Sequence, residues 1–166
     1  IAITNGGGIR GNKEYPSGAQ ITRRDILSEL PFGNRTVKIE VTGETVLAAL
    51  ENGFAEVENA QGRFPQVSGL TVEVDLKKPK GERVTAVMIG GKPLDKSAAY
   101  TLATNDYMYG GGDGYTALKV GKPLFGTSSS ITKTGLFTPT ATVSGWFVSG
   151  SGIVMSEGIV MSEGVV

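Results

Sequence analysis

Three loops hold the residues whose types and spacing could do chemistry. In TNDYMYGGGDGY, Thr104–Tyr115, the rings of Tyr107 and Tyr109 precede a carboxylate, Asp113, set between glycines. A carboxylate fixed beside glycine backbone can accept hydrogen bonds from a vicinal diol such as a ribose, while a tyrosine ring can stack on a base. A plain turn closed by an Asx-type bond at Asp113 would use the same residues. In TNGGGIR, Thr4–Arg10, three glycines centred on Gly7 expose backbone N–H groups with no side chain in the way. Arg10 adds a guanidinium able to grip an anion through two hydrogen bonds, so the loop suits a phosphate or a sugar oxygen. A glycine turn with a solvated arginine is the plainer account. No Gly-Lys-Ser/Thr follows, which excludes a Walker A loop, and the spacing of the dinucleotide fingerprint is missing. In LPFGN, Leu30–Asn34, Phe32 sits between Pro and Gly, where a ring is open to a ligand, and Asn34 offers a donor and acceptors for the edge of a heterocycle. The simpler alternative has Phe32 plugging the core at a helix end.

Composition limits what these loops can be asked to do. The chain has 166 residues, with 16 basic against 16 acidic, and contains neither Cys nor His. Without a basic surplus, nucleic-acid binding as a main activity is not expected. No apolar stretch approaches the roughly 18–20 residues of a membrane span, and none is expected. Thiolate nucleophiles, imidazole bases and the common zinc ligands are all missing, so hydrolysis by this chain alone would fall to carboxylates, Tyr, Lys or Ser. Glycine, 25 residues, is about twice the average of roughly 7% and clusters at Gly6–Gly8, at Gly90–Gly91, at Gly110–Gly112 with Gly114, and again in the tail.

The elements that must position those loops follow from periodicity. Ile1–Thr4 reads as a short strand with no turn or cap ahead of it, as if the chain were cut or processed there. Thr22 is a candidate cap for a short helix with Ile26, Leu27 and Leu30 on one face, stopped by Pro31. Residues 35–41 alternate with Val37, Ile39 and Val41 inward. Thr42 caps a second helix whose stripe is Val46, Leu47, Leu50 and Phe54. Leu70, Val72, Val74 and Leu76 alternate as a strand, and residues 84–89 and 92–94 flank Gly90 and Gly91 as a tight hairpin with Pro93 on an edge arm. Tyr100–Asn105 is a further strand, and Thr138 with Pro139 opens a weak helix reaching Phe147. Strands and helices mix without a regular alternation, which predicts an α+β fold of layered mixed sheets flanked by helices. It is expected to occupy residues 1–149. A tail, residues 150–166, carries IVMSEG twice, too few copies for a solenoid.

Taken together, an anion loop, two ring-bearing loops and a held carboxylate are the parts of a nucleotide site: phosphate, base and ribose. The motifs NGGGIR, PFGN, GRFPQVSGL and GGDGY, in this order, resemble the C-terminal domain of the 5'-nucleotidase family, which includes UDP-sugar hydrolases, cyclic-nucleotide phosphodiesterases and ecto-5'-nucleotidase. The resemblance runs from about Ile1 to Phe147. It implies that Phe32 and Tyr107 clamp the base from both faces, that Asp113 takes the ribose hydroxyls, that Arg10 contacts phosphate, and that Asn5, Gly7 and Asn34 lie at the nucleoside. Tyr107 stands where some relatives have Phe, which adds a hydroxyl at the edge of the clamp. GRFPQVSGL reads as a structural signature leading into the strand at Leu70.

The resemblance also implies a separate N-terminal metallophosphoesterase domain that holds two divalent metal ions through Asp, His and Asn, with domain rotation carrying the substrate to them. No part of that centre can lie in a chain without His. The chain is therefore expected to be the nucleotide-binding, specificity-determining part of a periplasmic, cell-surface or secreted phosphoesterase, with no cofactor of its own and inactive alone. A non-catalytic nucleotide-binding or interaction module reusing the fold is the alternative.

Overall fold

Val37, Ile39 and Val41 point inward from β2 (Thr36–Thr42), and Leu102 and Thr104 do so from its partner β7 (Ala99–Asn105). The computed structural model describes residues 1–125, and in it these two strands form an unbroken antiparallel ladder from Thr36↔Asn105 to Thr42↔Ala99. On the other side of β7 lies β1 (Ala2–Asn5), parallel to it, followed by β3 (Pro65–Ser68), antiparallel to β1 with Asn5 opposite Pro65. The strand β8 (Lys122–Phe125) closes the far edge against β2, giving a five-stranded sheet in the order β3-β1-β7-β2-β8. A second, antiparallel sheet is built from β4 (Leu70–Val74), β5 (Val84–Ile89) and β6 (Lys92–Pro93).

Between the two sheets runs α2 (Gly43–Phe54), packed on β2 and β3 of the larger sheet and on β5 of the smaller. Thr42 caps it by accepting the Thr45 N–H at 3.3 Å. Of its expected stripe, Val46 and Leu50 are fully buried and Phe54 nearly so, while Leu47 is only partly buried and Ala49 joins them in the core with Ile3, Ile39, Leu102, Met108, Tyr115 and Leu118. Burial of each large side chain contributes about 1.5–3 kcal/mol. Where α2 ends, the buried Arg83 takes over: its Nη1 donates to the Phe54 carbonyl at 2.7 Å and its guanidinium pairs with Glu58. Glu51 in turn accepts the backbone N–H groups of Arg83 and Val84 at 3.0 and 2.8 Å. The smaller sheet is thus fastened to the C-terminal end of α2 by charge-assisted bonds.

The layered α+β architecture is as expected, with three local differences. The short helix α1 (Arg23–Glu29) has its Thr22 cap, reinforced by Asp25, but buries no residue; Leu27 and Leu30 face solvent because nothing packs against that face among the described residues. The strand β4 stops at Val74, since Asp75 turns back to accept the Lys77 N–H, and Leu76 is exposed. GRFPQVSGL is more than a lead-in, because its PQVS is itself the strand β3. The hairpin between β5 and β6 turns on Gly90 and Gly91 with φ of +58° and +76°, the left-handed pair that a two-residue turn demands. The expected helix at 138–147 and the IVMSEG repeats lie outside the described residues.

Candidate functional site

The sheet registers put four strand ends together at one end of the larger sheet. β1 and β7 run parallel and both end there, in Asn5 and Asn105, while β2 and β3 both begin there, at Thr36 and Pro65. The loops after β1 and β7 and before β2 and β3 therefore converge at the carboxyl ends of two parallel strands, the usual place for a ligand in such sheets.

Asp113 is the centre of this convergence. It sits in a short 3-10 turn, Gly112–Gly114, in the left-handed conformation with φ +52°, which Asp tolerates better than most residues. Its Oδ2 accepts from Asn5 Nδ2 at 2.7 Å, and its Oδ1 accepts from the Tyr107 hydroxyl at 2.8 Å. Asn5, 4% exposed, is itself held through Oδ1, which accepts from Asn105 Nδ2 at 3.0 Å. Asn105 caps the one-turn helix α3 (Asp106–Tyr109) by accepting the Met108 N–H at 2.8 Å, and this turn presents Tyr107. The hydroxyl end of the Tyr107 ring lies over Gly112, where a Cβ would come within 2.4 Å of Cζ. From below, Asn52 Nδ2 donates to the Asp113 carbonyl at 3.1 Å and Arg63 Nη1 donates to Asn52 Oδ1 at 3.2 Å. The fully buried Tyr115 donates to the Arg63 carbonyl, and burial pushes its phenol far above the usual value. The Asp113 carboxylate raises the Tyr107 phenol too, by accepting its proton in a hydrogen bond.

Phe32 occupies the other flank. It is 56% exposed, in the loop before β2, with the Arg10 guanidinium carbon 5.3 Å from its ring centroid. That loop is tied to α3: the Arg35 N–H donates to Asp106 Oδ1 at 3.1 Å and the Asp106 N–H to the Arg35 carbonyl at 2.9 Å. Phe32 and Tyr107 thus leave adjacent strands at the same end. Among the described residues the only aromatic pair in ring contact is Phe54 with Phe64, so the two loop rings stand apart from each other.

Of the residues singled out from sequence, the structure bonds Asn5, Tyr107 and Asp113 directly and sets Arg10 against Phe32. Asn34 is exposed and makes no hydrogen bond among the described residues. The glycine loop differs from expectation. Gly6 and Gly7 do not offer their amides outward, because these N–H groups donate to the Phe64 and Gly62 carbonyls at 2.7 and 2.8 Å. Gly7 instead lies against Gly62, itself beside Asp113. Sequence reasoning missed Asn105, Asn52 and Arg63. An Asn directly after a strand and before DYMY is a legible helix cap; Asn52 and Arg63 carry no such signal. Among the described residues no group of three or more His, Cys, Asp or Glu could hold a metal ion, so a dimetal centre does not fit these side chains. No helix among them is long and apolar enough to cross a membrane. A shallow depression of about 400 Å³ near Leu70 and Met88 lies on the smaller sheet, away from Asp113, and carries no titratable side chain.

Residues 1–120 match the family described as 5'-nucleotidase, C-terminal domain, and the chain belongs to that family. It is 41% identical over 121 residues to the trifunctional nucleotide phosphoesterase protein YfkN of Bacillus subtilis, covering 70% of this chain and 8% of that one. A 5'-nucleotidase of Diplobatis ommata is 34% identical over 78% of this chain and 24% of its own length. Among solved structures, the 5'-nucleotidase precursor from Thermus thermophilus superposes with a TM-score of 0.68 at 44% identity, covering 74% of this chain and 24% of that one. The chain thus spans a quarter or less of these relatives and corresponds to their C-terminal domain alone.

Proposed function

We propose that this chain is the nucleotide-binding, specificity-setting domain of a 5'-nucleotidase-type phosphoesterase, and that it takes a nucleoside or nucleotide in the cleft between Phe32 and Tyr107. The base stacks between the two rings, the sugar hydroxyls bond to Asp113, and Arg10, beside Phe32, faces the phosphate. Asn34 reads the base edge, and Asn5 holds Asp113 in place. Hydrolysis belongs to a catalytic metallophosphoesterase domain outside this chain, to which two divalent metal ions are assigned, and the whole enzyme works in the periplasm, at the cell surface or after secretion.

One observation carries this reading: two exposed aromatic rings and a hydrogen-bonded carboxylate, on loops up to about eighty residues apart in sequence, converge at one end of the larger sheet. Rings left half exposed beside a fixed acceptor are poor packing and good ligand surface. Family membership supplies independent support.

Calorimetry with AMP, adenosine and UDP-glucose tests it. Phe32→Ala should weaken nucleoside binding by about 1–3 kcal/mol through lost stacking, and Asp113→Ala by a similar amount through lost hydrogen bonds to a charged acceptor. Unchanged affinity in both variants would remove the site.

A further inference from the structure

Tyr107 contributes more than a ring. Its hydroxyl donates to Asp113 Oδ1 at 2.8 Å and accepts the backbone N–H of the same residue at 3.2 Å, closing a small hydrogen-bonded ring around Asp113. Asn5 Nδ2 holds the other carboxylate oxygen at 2.7 Å. Each oxygen of an ionised carboxylate has two acceptor positions, so one position remains on each after Tyr107 and Asn5 are served. With one donor on each oxygen, the carboxylate cannot rotate about its Cβ–Cγ bond without breaking a bond. The remaining position on each oxygen is therefore held in a set orientation, and two adjacent hydroxyls of one sugar ring are a pair of donors that can fill them together. Orientation set before the ligand arrives removes an ordering cost from binding.

We propose that Tyr107 is a positioning residue that sets sugar selectivity: its hydroxyl holds the Asp113 carboxylate for a vicinal diol, so the site prefers ribonucleosides to 2'-deoxyribonucleosides. The inference rests on the nucleoside reading above and deepens it. A phenylalanine at this position keeps an aromatic face but frees Oδ1, leaving the carboxylate to Asn5 alone. A ligand lacking one hydroxyl leaves one prepared acceptor position unmet, which a site built for hydrogen bonding penalises strongly.

Calorimetry on the intact 166-residue chain compares adenosine with 2'-deoxyadenosine in wild type, Tyr107→Phe and Asp113→Asn. The wild type should prefer adenosine by about tenfold or more, and both variants should shrink that ratio to within about threefold. A wild-type ratio near unity, or a Tyr107→Phe variant that keeps the full preference, overturns the role of the hydroxyl and leaves the nucleoside site standing. A wild type that binds neither nucleoside overturns the site and the inference together. A ligand-free readout covers the chance that a variant misfolds. With 13C-labelled tyrosine, the Tyr107 Cζ resonance should titrate above the ordinary value of 10 in wild type and return toward it in Asp113→Asn. The charged group facing that phenol is Asp113, whose carboxylate accepts the phenolic proton. No change on removing the Asp113 charge overturns the Tyr107–Asp113 bond on which the proposal stands.

Discussion

Asp113 and Phe32 stand at the same end of the larger sheet, yet their surroundings have little in common. Asp113 is bonded through side chain and backbone to Asn5, Tyr107 and Asn52, and behind these lie Asn105, Arg63 and the fully buried Tyr115. Phe32 follows α1, a helix that buries nothing, and its ring lies against the guanidinium of the exposed Arg10. One flank takes its geometry from the hydrophobic core through a relay of hydrogen bonds; the other takes it from a helix cap, the Arg10 contact and the Arg35–Asp106 bonds at the start of β2. Under the proposed function, a firmly held carboxylate and a less firmly held ring suit a site that holds one sugar while admitting different bases, since stacking is indifferent to the base edge.

The sharpest way to break this contrast is Tyr115→Ala. Removing a fully buried ring should cost about 3–5 kcal/mol in urea unfolding, and nucleoside affinity should fall with it because Arg63 and Asn52 lose their support. A loss below about 1 kcal/mol would mean that the core does not hold the Asp113 flank. Next in size is the cap of α1, where Thr22 accepts the Asp25 N–H at 3.2 Å and Asp25 Oδ2 accepts the Thr22 N–H at 2.9 Å. Thr22→Ala should cost about 1 kcal/mol, read as faster hydrogen exchange at Ile26 and Leu30 with β7 unaffected. Acid attacks the same cap. Lys13 first, and then Thr22, hold the Asp25 carboxyl well below its ordinary 3.8. Because the folded value is depressed, the contribution is complete above 3.8 and is lost as the pH falls through the folded value. The α1 amides should therefore open in acid before those of β7, and simultaneous opening would erase the distinction. Smallest of all, Leu27→Ala on the exposed face of α1 should change stability by less than about 0.5 kcal/mol, and a larger loss would reveal packing on that helix.

The sequence made some of this legible and hid the rest for physical reasons. β2, α2 and the β5–β6 hairpin follow from local periodicity, caps and a glycine pair, all of which act within a few residues. The α1 stripe misled because periodicity says which face a helix could bury and says nothing about what would cover it. β3 escaped because four residues pairing with β1 carry too little pattern, and their partner is sixty residues away. The amides of Gly6 and Gly7 were read as outward because only the fold brings Phe64 and Gly62 against them. Asp113, Tyr107 and Phe32 stood out as residue types in glycine-rich loops. Asn52 and Arg63 could not, being ordinary polar residues whose role depends on contacts across 61 and 11 positions.

The unbroken seven-pair ladder between β2 and β7 also constrains how such a domain can diversify. Inserting one residue between Thr36 and Thr42 would reverse the facing of the strand on one side of the insertion, turning buried valines or isoleucine there out to water, unless the extra residue were taken up as a bulge. Length changes are therefore confined to the connections beyond the ladder. Descendants with altered ligand range should differ in the span before Thr36 or after Asn105, while the paired stretch keeps a constant residue count.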